Sequence, residues 1–156
     1  MNVQTVLFAS LAPLLLACSG SGSKPDLPSG WESAQSMKSF TQAACNGFPG
    51  LPGSPAESIA VDAGQGTVSV AYHGAHFRCD QSVEGFVRSG VKSVDFLVQP
   101  TDMNPSSVAG CDCLYEITLA TSAAPGPTTV SLYRRWDNHS GSTDPVEIGT
   151  ASATVR

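Results

Sequence analysis

Three short stretches hold most of the side chains able to do chemistry. "HGAHFRC" (73–79) carries His73, His76 and Cys79 at three-residue spacing, "GCDCLYE" (110–116) carries Cys111 and Cys113 either side of one aspartate, and "YRRWDNH" (133–139) carries Arg134, Arg135 and Trp136. Imidazole and thiolate together make a donor set for a transition metal. The spacing argues against it, because zinc sites favour C-x₂₋₄-C over C-x-C. Residues three apart on a strand also point to opposite faces, so His73 and His76 reach one ion only if a bulge intervenes. No metal or cofactor is therefore expected, and a small-ligand or metal site at His73 and His76 is the alternative.

Asp112 and Glu116 form a carboxylate pair near a strand start, which a hydrated strand face explains equally well. No nucleophile elbow, phosphate-binding loop or dinucleotide fingerprint occurs. The chain is not expected to be an enzyme, and a hydrolase is the least favoured alternative. Arg and Trp are enriched at binding hot spots, so Arg134, Arg135 and Trp136 are the candidate partner surface. The competing explanation is a strand end whose arginines cover Trp136 by cation–π contact.

What those thiols do depends on the compartment. "MNVQTVLFASLAPLLLA" (1–17) carries no charge, and its apolar stretch of about a dozen residues is too short for a bilayer span of roughly 20. It fits the apolar region of an export signal. It ends in Leu15-Leu16-Ala17-Cys18, followed by "SGSGS". This resembles the lipobox of bacterial lipoproteins, in which the cysteine sulfur takes a diacylglycerol and the new amino terminus a further acyl chain. The resemblance implies lipidation of Cys18, and several buried acyl chains make a lasting anchor. By the same resemblance Ser19, in place of an acidic residue, implies the outer membrane. Plain secretion or a periplasmic location is the alternative.

Composition agrees with an extracytoplasmic address. Net charge is −5 with only eight Lys and Arg, which argues against nucleic acid and against charge-driven binding to anionic lipid. Charged residues make up 13%, about half of ordinary usage. Small and turn-forming residues fill the difference, as short strands joined by turns require.

Along the chain, residues 1–17 read as signal peptide, 18–36 as lipidated Cys18 and flexible tether, and 37–156 as the folded domain. Trp31 to Ala44 shows some helical spacing, and "GFPGLPGSP" (47–55) reads as an extended loop. From Ser58 the pattern turns to period two: "SIAVD", "TVSVAYH", "SVDFLVQP", "CLYEITLAT", "TTVSLYRRW" and "VEIGTASATV", with turn signals between. About six or seven short strands predict an all-β, antiparallel, immunoglobulin-like sandwich. If Tyr72 faces the core, strict alternation would turn Phe77 and Cys79 away from it, so a bulge is expected at Gly74-Ala75.

"VAYHGAHFRCDQ", "GCDCLYEITLAT" and "TTVSLYRRWD" resemble small bacterial lipoproteins of uncharacterised function, over roughly residues 65–137. In those a His-bearing strand leads to a cysteine pair. Here Cys79 stands in that place, and Cys45 is left to supply the missing partner. Once Cys18 is acylated, Cys45, Cys79, Cys111 and Cys113 remain, and two disulfides are the default in an oxidising compartment. Pairing Cys111 with Cys113 would strain a tiny ring. The favoured reading joins Cys79 to Cys113 and Cys45 to Cys111, with the crossed pairing as the alternative. The whole reads as a lipid-anchored binding or accessory module with an envelope protein partner.

Overall fold

The period-two runs need two apolar faces to bury, and packing them against each other is the simplest solution. The computed structural model describes residues 25–140 and 142–156, so the expected signal peptide, Cys18 and the first part of the tether lie outside the described residues. Nine strands follow in order: β1 Gln35–Ser36, β2 Ser39–Gln42, β3 Ser58–Ala63, β4 Thr67–Arg78, β5 Val83–Ser89, β6 Ser93–Pro100, β7 Asp112–Ser122, β8 Gly126–Arg134 and β9 Val146–Val155. They form a five-stranded sheet, β1-β5-β6-β8-β9, and a four-stranded sheet, β2-β7-β4-β3. The β-sandwich is as expected, with more strands than expected and one departure from antiparallel order. β6 and β8 run parallel, because β7, between them in sequence, lies in the other sheet.

The core lies between the sheets. Val68, Val70, Tyr72, Phe77, Cys113, Tyr115, Ile117 and Leu119 meet Val94, Phe96, Val98, Val130 and Leu132, all buried. Strand β6 is buried on both faces, as its unbroken apolar run "FLV" requires. Its outer face is covered by the incoming chain: Trp31 packs on Phe86 and Leu97, with the Arg88 guanidinium 4.2 Å above its ring. Residues 25–36, inside the stretch read as tether, are thus laid onto the five-stranded sheet.

The helical spacing of Trp31 to Ala44 does not produce a helix. Its residues make a turn and then β1 and β2, which together act as one strand switching sheets. Neighbouring edges decide this: β5 offers Val87 and Phe86 to β1, and β7 offers Ile117 to Ala120 to β2. Phe40 then packs over Gly85, where any Cβ would sit 2.6 Å from its ring. The opposite side closes where Ile59 of β3 meets Gly149 of β9.

The pairings put the connections 43–57, 79–82, 101–111 and 135–145 at one pole, with Pro25-Asp26. Three-residue turns, 64–66, 90–92 and 123–125, lie at the other, with Arg156.

Candidate functional site

The site is built by the expected bulge. Tyr72 pairs with Ile117 but Ala75 pairs with Tyr115, so β4 carries one residue more than β7 between them. Gly74 supplies the conformation this needs, at φ +63°, and a Cβ there would sit 3.2 Å from the carbonyl oxygens of Pro55 and Ala56. Both constraints call for glycine. The bulge resets alternation: Val68, Val70 and Tyr72 face the core before it, and Ala75 and Phe77 after it. His73 and His76 are thereby turned to the same outer face.

Each histidine meets its own carboxylate there. His73 Nδ1 lies 2.5 Å from Glu116 Oε2, and the Gly74 amide donates to Glu116 Oε1 at 3.3 Å. His76 Nε2 lies 3.2 Å from Asp112 Oδ2, aligned poorly for a hydrogen bond. Among the described residues no group of three or more His, Cys, Asp or Glu side chains is placed to hold a metal ion. Among the described residues no hydroxyl or thiol is hydrogen-bonded to the His73 or His76 imidazole.

Beyond His73, β4 has lost its neighbour β3, and the chain leaving β8 covers the gap. Trp136 packs edge-on against His76 at 5.0 Å and, tilted, against Phe77 at 5.7 Å. Arg134 lies over Trp136 at 4.6 Å and donates to Glu57 Oε1 at 2.6 Å. Glu57 Oε1 also accepts from the Tyr72 hydroxyl and from the His76 amide at 3.2 Å. Burial first, and the Glu57 charge second, push the Tyr72 phenol well above its ordinary range, so Tyr72 stays a proton donor to Glu57.

Arg134, Arg135 and Trp136 do not form one surface. Alternation sends Arg135 the other way, where it is buried and donates to the carbonyls of Thr143 at 2.7 Å and Asp26 at 2.6 Å and to Gln99 Oε1 at 3.2 Å. It ties the incoming chain to the end of β6 and to the 135–145 connection. Arg134 is nine-tenths covered, so the accessible part of the cluster is the half-buried Trp136 with His73, His76, Asp112 and Glu116. Glu57 was not legible as a member: it follows a proline-rich loop and reaches Arg134 across 77 residues.

A second network lies beneath the first. Arg78, also buried, forks onto the fully buried Asp137, with Nη1 donating to Oδ1 at 3.0 Å and Nη2 to Oδ2. Asp137 also accepts from Gln81 Nε2 at 2.7 Å, Ser140 Oγ at 3.1 Å and the His139 amide at 3.1 Å. Burial raises the Asp137 carboxyl, but these donors outweigh it and hold the group below its ordinary value. With every carboxylate oxygen satisfied, the pair is a structural clamp between β4 and the 135–145 connection.

The cysteines close two disulfides, in the crossed arrangement. Cys45 is joined to Cys113 and Cys79 to Cys111, with Cα atoms 5.7 Å apart in each. The favoured expectation of Cys79–Cys113 and Cys45–Cys111 is corrected by register. Phe77 stands opposite Cys113 and Arg78 opposite Asp112, and the Cys79 amide donates to the Cys111 carbonyl, so Cys79 faces Cys111. Cys45 comes up the other flank of β7, where the Asn46 amide donates to the Leu114 carbonyl and the Leu114 amide to the Gly47 carbonyl. Strand β7 is thus stapled on both sides.

No known family model, curated protein or solved structure matches this chain.

Proposed function

We propose that this chain is a lipid-anchored envelope protein whose stapled sandwich serves as a binding or accessory module, recruiting an envelope protein through the bulge face. The observation that carries this reading is the bulge itself. A glycine held at positive φ against two carbonyls re-aims His76 and sets two imidazoles, two half-exposed carboxylates and the edge of Trp136 on one outer face. Bulges recur where a sheet must re-aim a side chain for function.

The two disulfides support an oxidising, extracytoplasmic location. They use Cys45, Cys79, Cys111 and Cys113 and leave Cys18 for acylation, in keeping with its place after Leu15-Leu16-Ala17. A bacterial outer membrane is the proposed site, in line with the resemblance to small lipoproteins. No catalytic role is assigned.

A photo-crosslinking residue at position 73 tests this in intact cells, with a second at Thr154, exposed on β9, as control. A discrete protein adduct from position 73 alone is expected. No adduct, or the same ladder from both positions, would overturn the reading.

A further inference from the structure

The described residues expose five large apolar side chains: Phe48, Leu51, Val91, Val108 and Val146. Only Val91 sits at the turn pole. Phe48 and Leu51 project from the 43–57 connection, Val108 from 101–111, and Val146 opens β9, all at the loop pole. Phe48 is 52% and Leu51 57% exposed.

Their loop is held in place. The Cys45–Cys113 bridge pins its start, and Asn46 N to Leu114 O and Leu114 N to Gly47 O, at 2.9 and 3.0 Å, extend that seam. Ser54 closes the tip on itself, its amide donating to Leu51 O at 3.0 Å and its hydroxyl to Phe48 O at 2.7 Å. Two apolar side chains displayed on a fixed loop have little ordering entropy left to lose on burial.

The incoming chain identifies what lies opposite. Residue 26 is held at the same pole, by Gln99 and Arg135. Cys18 precedes Pro25 by seven residues, a reach of at most about 25 Å. The far pole stands about 40 Å further off, along the 12 residues of β4. An anchor at Cys18 therefore holds the loop pole near the bilayer, at an effective concentration that makes weak insertion sufficient.

We propose that the Phe48–Leu51 loop seats in the interfacial layer of the bilayer that holds Cys18, so that the sandwich stands on its loop pole. This rests on the lipid-anchor reading above. Contact is apolar and not ionic: Arg78, Arg134 and Arg135 are all turned inward on partners, while Asp80, Asp102, Asp112 and Asp144 face out. Zwitterionic lipid is the matching surface, and anionic lipid opposes it.

The test uses the full lipidated chain in phosphatidylcholine vesicles, with benzoylphenylalanine at position 48 or, as control, at 91. Several-fold more lipid adduct at 48 than at 91 is expected, falling when phosphatidylglycerol is added. With the probe moved to 108, Phe48→Ser/Leu51→Ser should lose lipid adducts while still pelleting through its anchor. Equal labelling at 48 and 91, adducts at 48 to protein alone, or labelling that rises with phosphatidylglycerol would overturn the proposal. Cys18→Ser, fractionated in parallel, separates the two readings. If that variant pellets as fully as wild type, the anchor reading falls; if wild type pellets through Cys18 but position 48 labels no lipid, loop docking alone falls.

Discussion

At the turn pole the chain reverses three times within three residues, and backbone bonds close it: Gly64 N to Thr67 O at 3.0 Å, Gly90 N to Ser93 O at 2.8 Å. Lys38, Lys92 and Arg156 face solvent at or near it. At the loop pole the connections are long, and side chains do the closing. Both disulfides, the Arg78–Asp137 clamp, the Arg135 bonds and the Arg134–Glu57 pair all lie there. A tight turn satisfies its own donors and acceptors, whereas a long connection has no ladder and must borrow partners from elsewhere. The loop pole is consequently rigid by cross-linking, and its few ties each carry much of the load.

The largest expected effect follows from the clamp. Asp137→Ala leaves the buried Arg78 guanidinium without its bidentate partner, with only the half-exposed Asp80 carboxylate 3.5 Å from its Nε, at a cost of about 3–5 kcal/mol. Lys92→Ala at the turn pole should stay within about 0.5 kcal/mol. Urea denaturation measures both, and equal losses would erase the contrast between the poles. The clamp also sets the acid limit. Asp137 is held below its unfolded value, so its contribution is complete above about pH 4 and is lost as pH falls through the depressed value. The variant should therefore show a shallower acid limb than wild type.

The disulfides come next. Removing one bridge by paired Ser substitution should cost about 2–4 kcal/mol, with Cys45–Cys113 at the upper end because it spans 68 residues against 32 for Cys79–Cys111. Peptide mapping should recover these two pairs, and Cys79 linked to Cys113 would refute the register. The smallest loss expected of the structural ties and turns separates conformation from contact. Gly66→Ala, at φ +67° in open space at the turn pole, should lose about 1–2 kcal/mol. Gly74→Ala should lose more, since its methyl also meets two carbonyl oxygens at 3.2 Å. Chemical denaturation of the two variants tests that order.

Much of the scaffold was legible before folding was considered. The alternating runs mark β3, β4, β6, β7, β8 and β9, because a strand with one buried face must repeat every second residue. The bulge was legible for the same reason: Tyr72 and Phe77 share a face only if one residue between them is extra. Strand β5 was not, since Gly85 leaves a gap in the pattern that Phe40 fills from the other sheet. Strands β1 and β2 were not either, being short and polar; unpaired edges of β5 and β7 make them strands. Of the site, the histidines and the Trp136 cluster could be singled out by type. Asp112 and Glu116 could be as well, but not which histidine each meets, and Arg135 proved to hold the incoming chain at Asp26.

Local alternation and composition alone determined that this chain is a turn-rich, all-β sandwich with Cys113, Tyr115, Ile117 and Leu119 in its core. Which cysteine meets which, and which arginine is spent inside, was decided by the tertiary structure alone. A one-residue bulge in β4 shifts every pairing beyond it, bringing Cys79 opposite Cys111, and the switch of β1–β2 between sheets delivers Cys45 to the other flank of β7. Register is a relation between distant strands, and no periodicity within either strand records it.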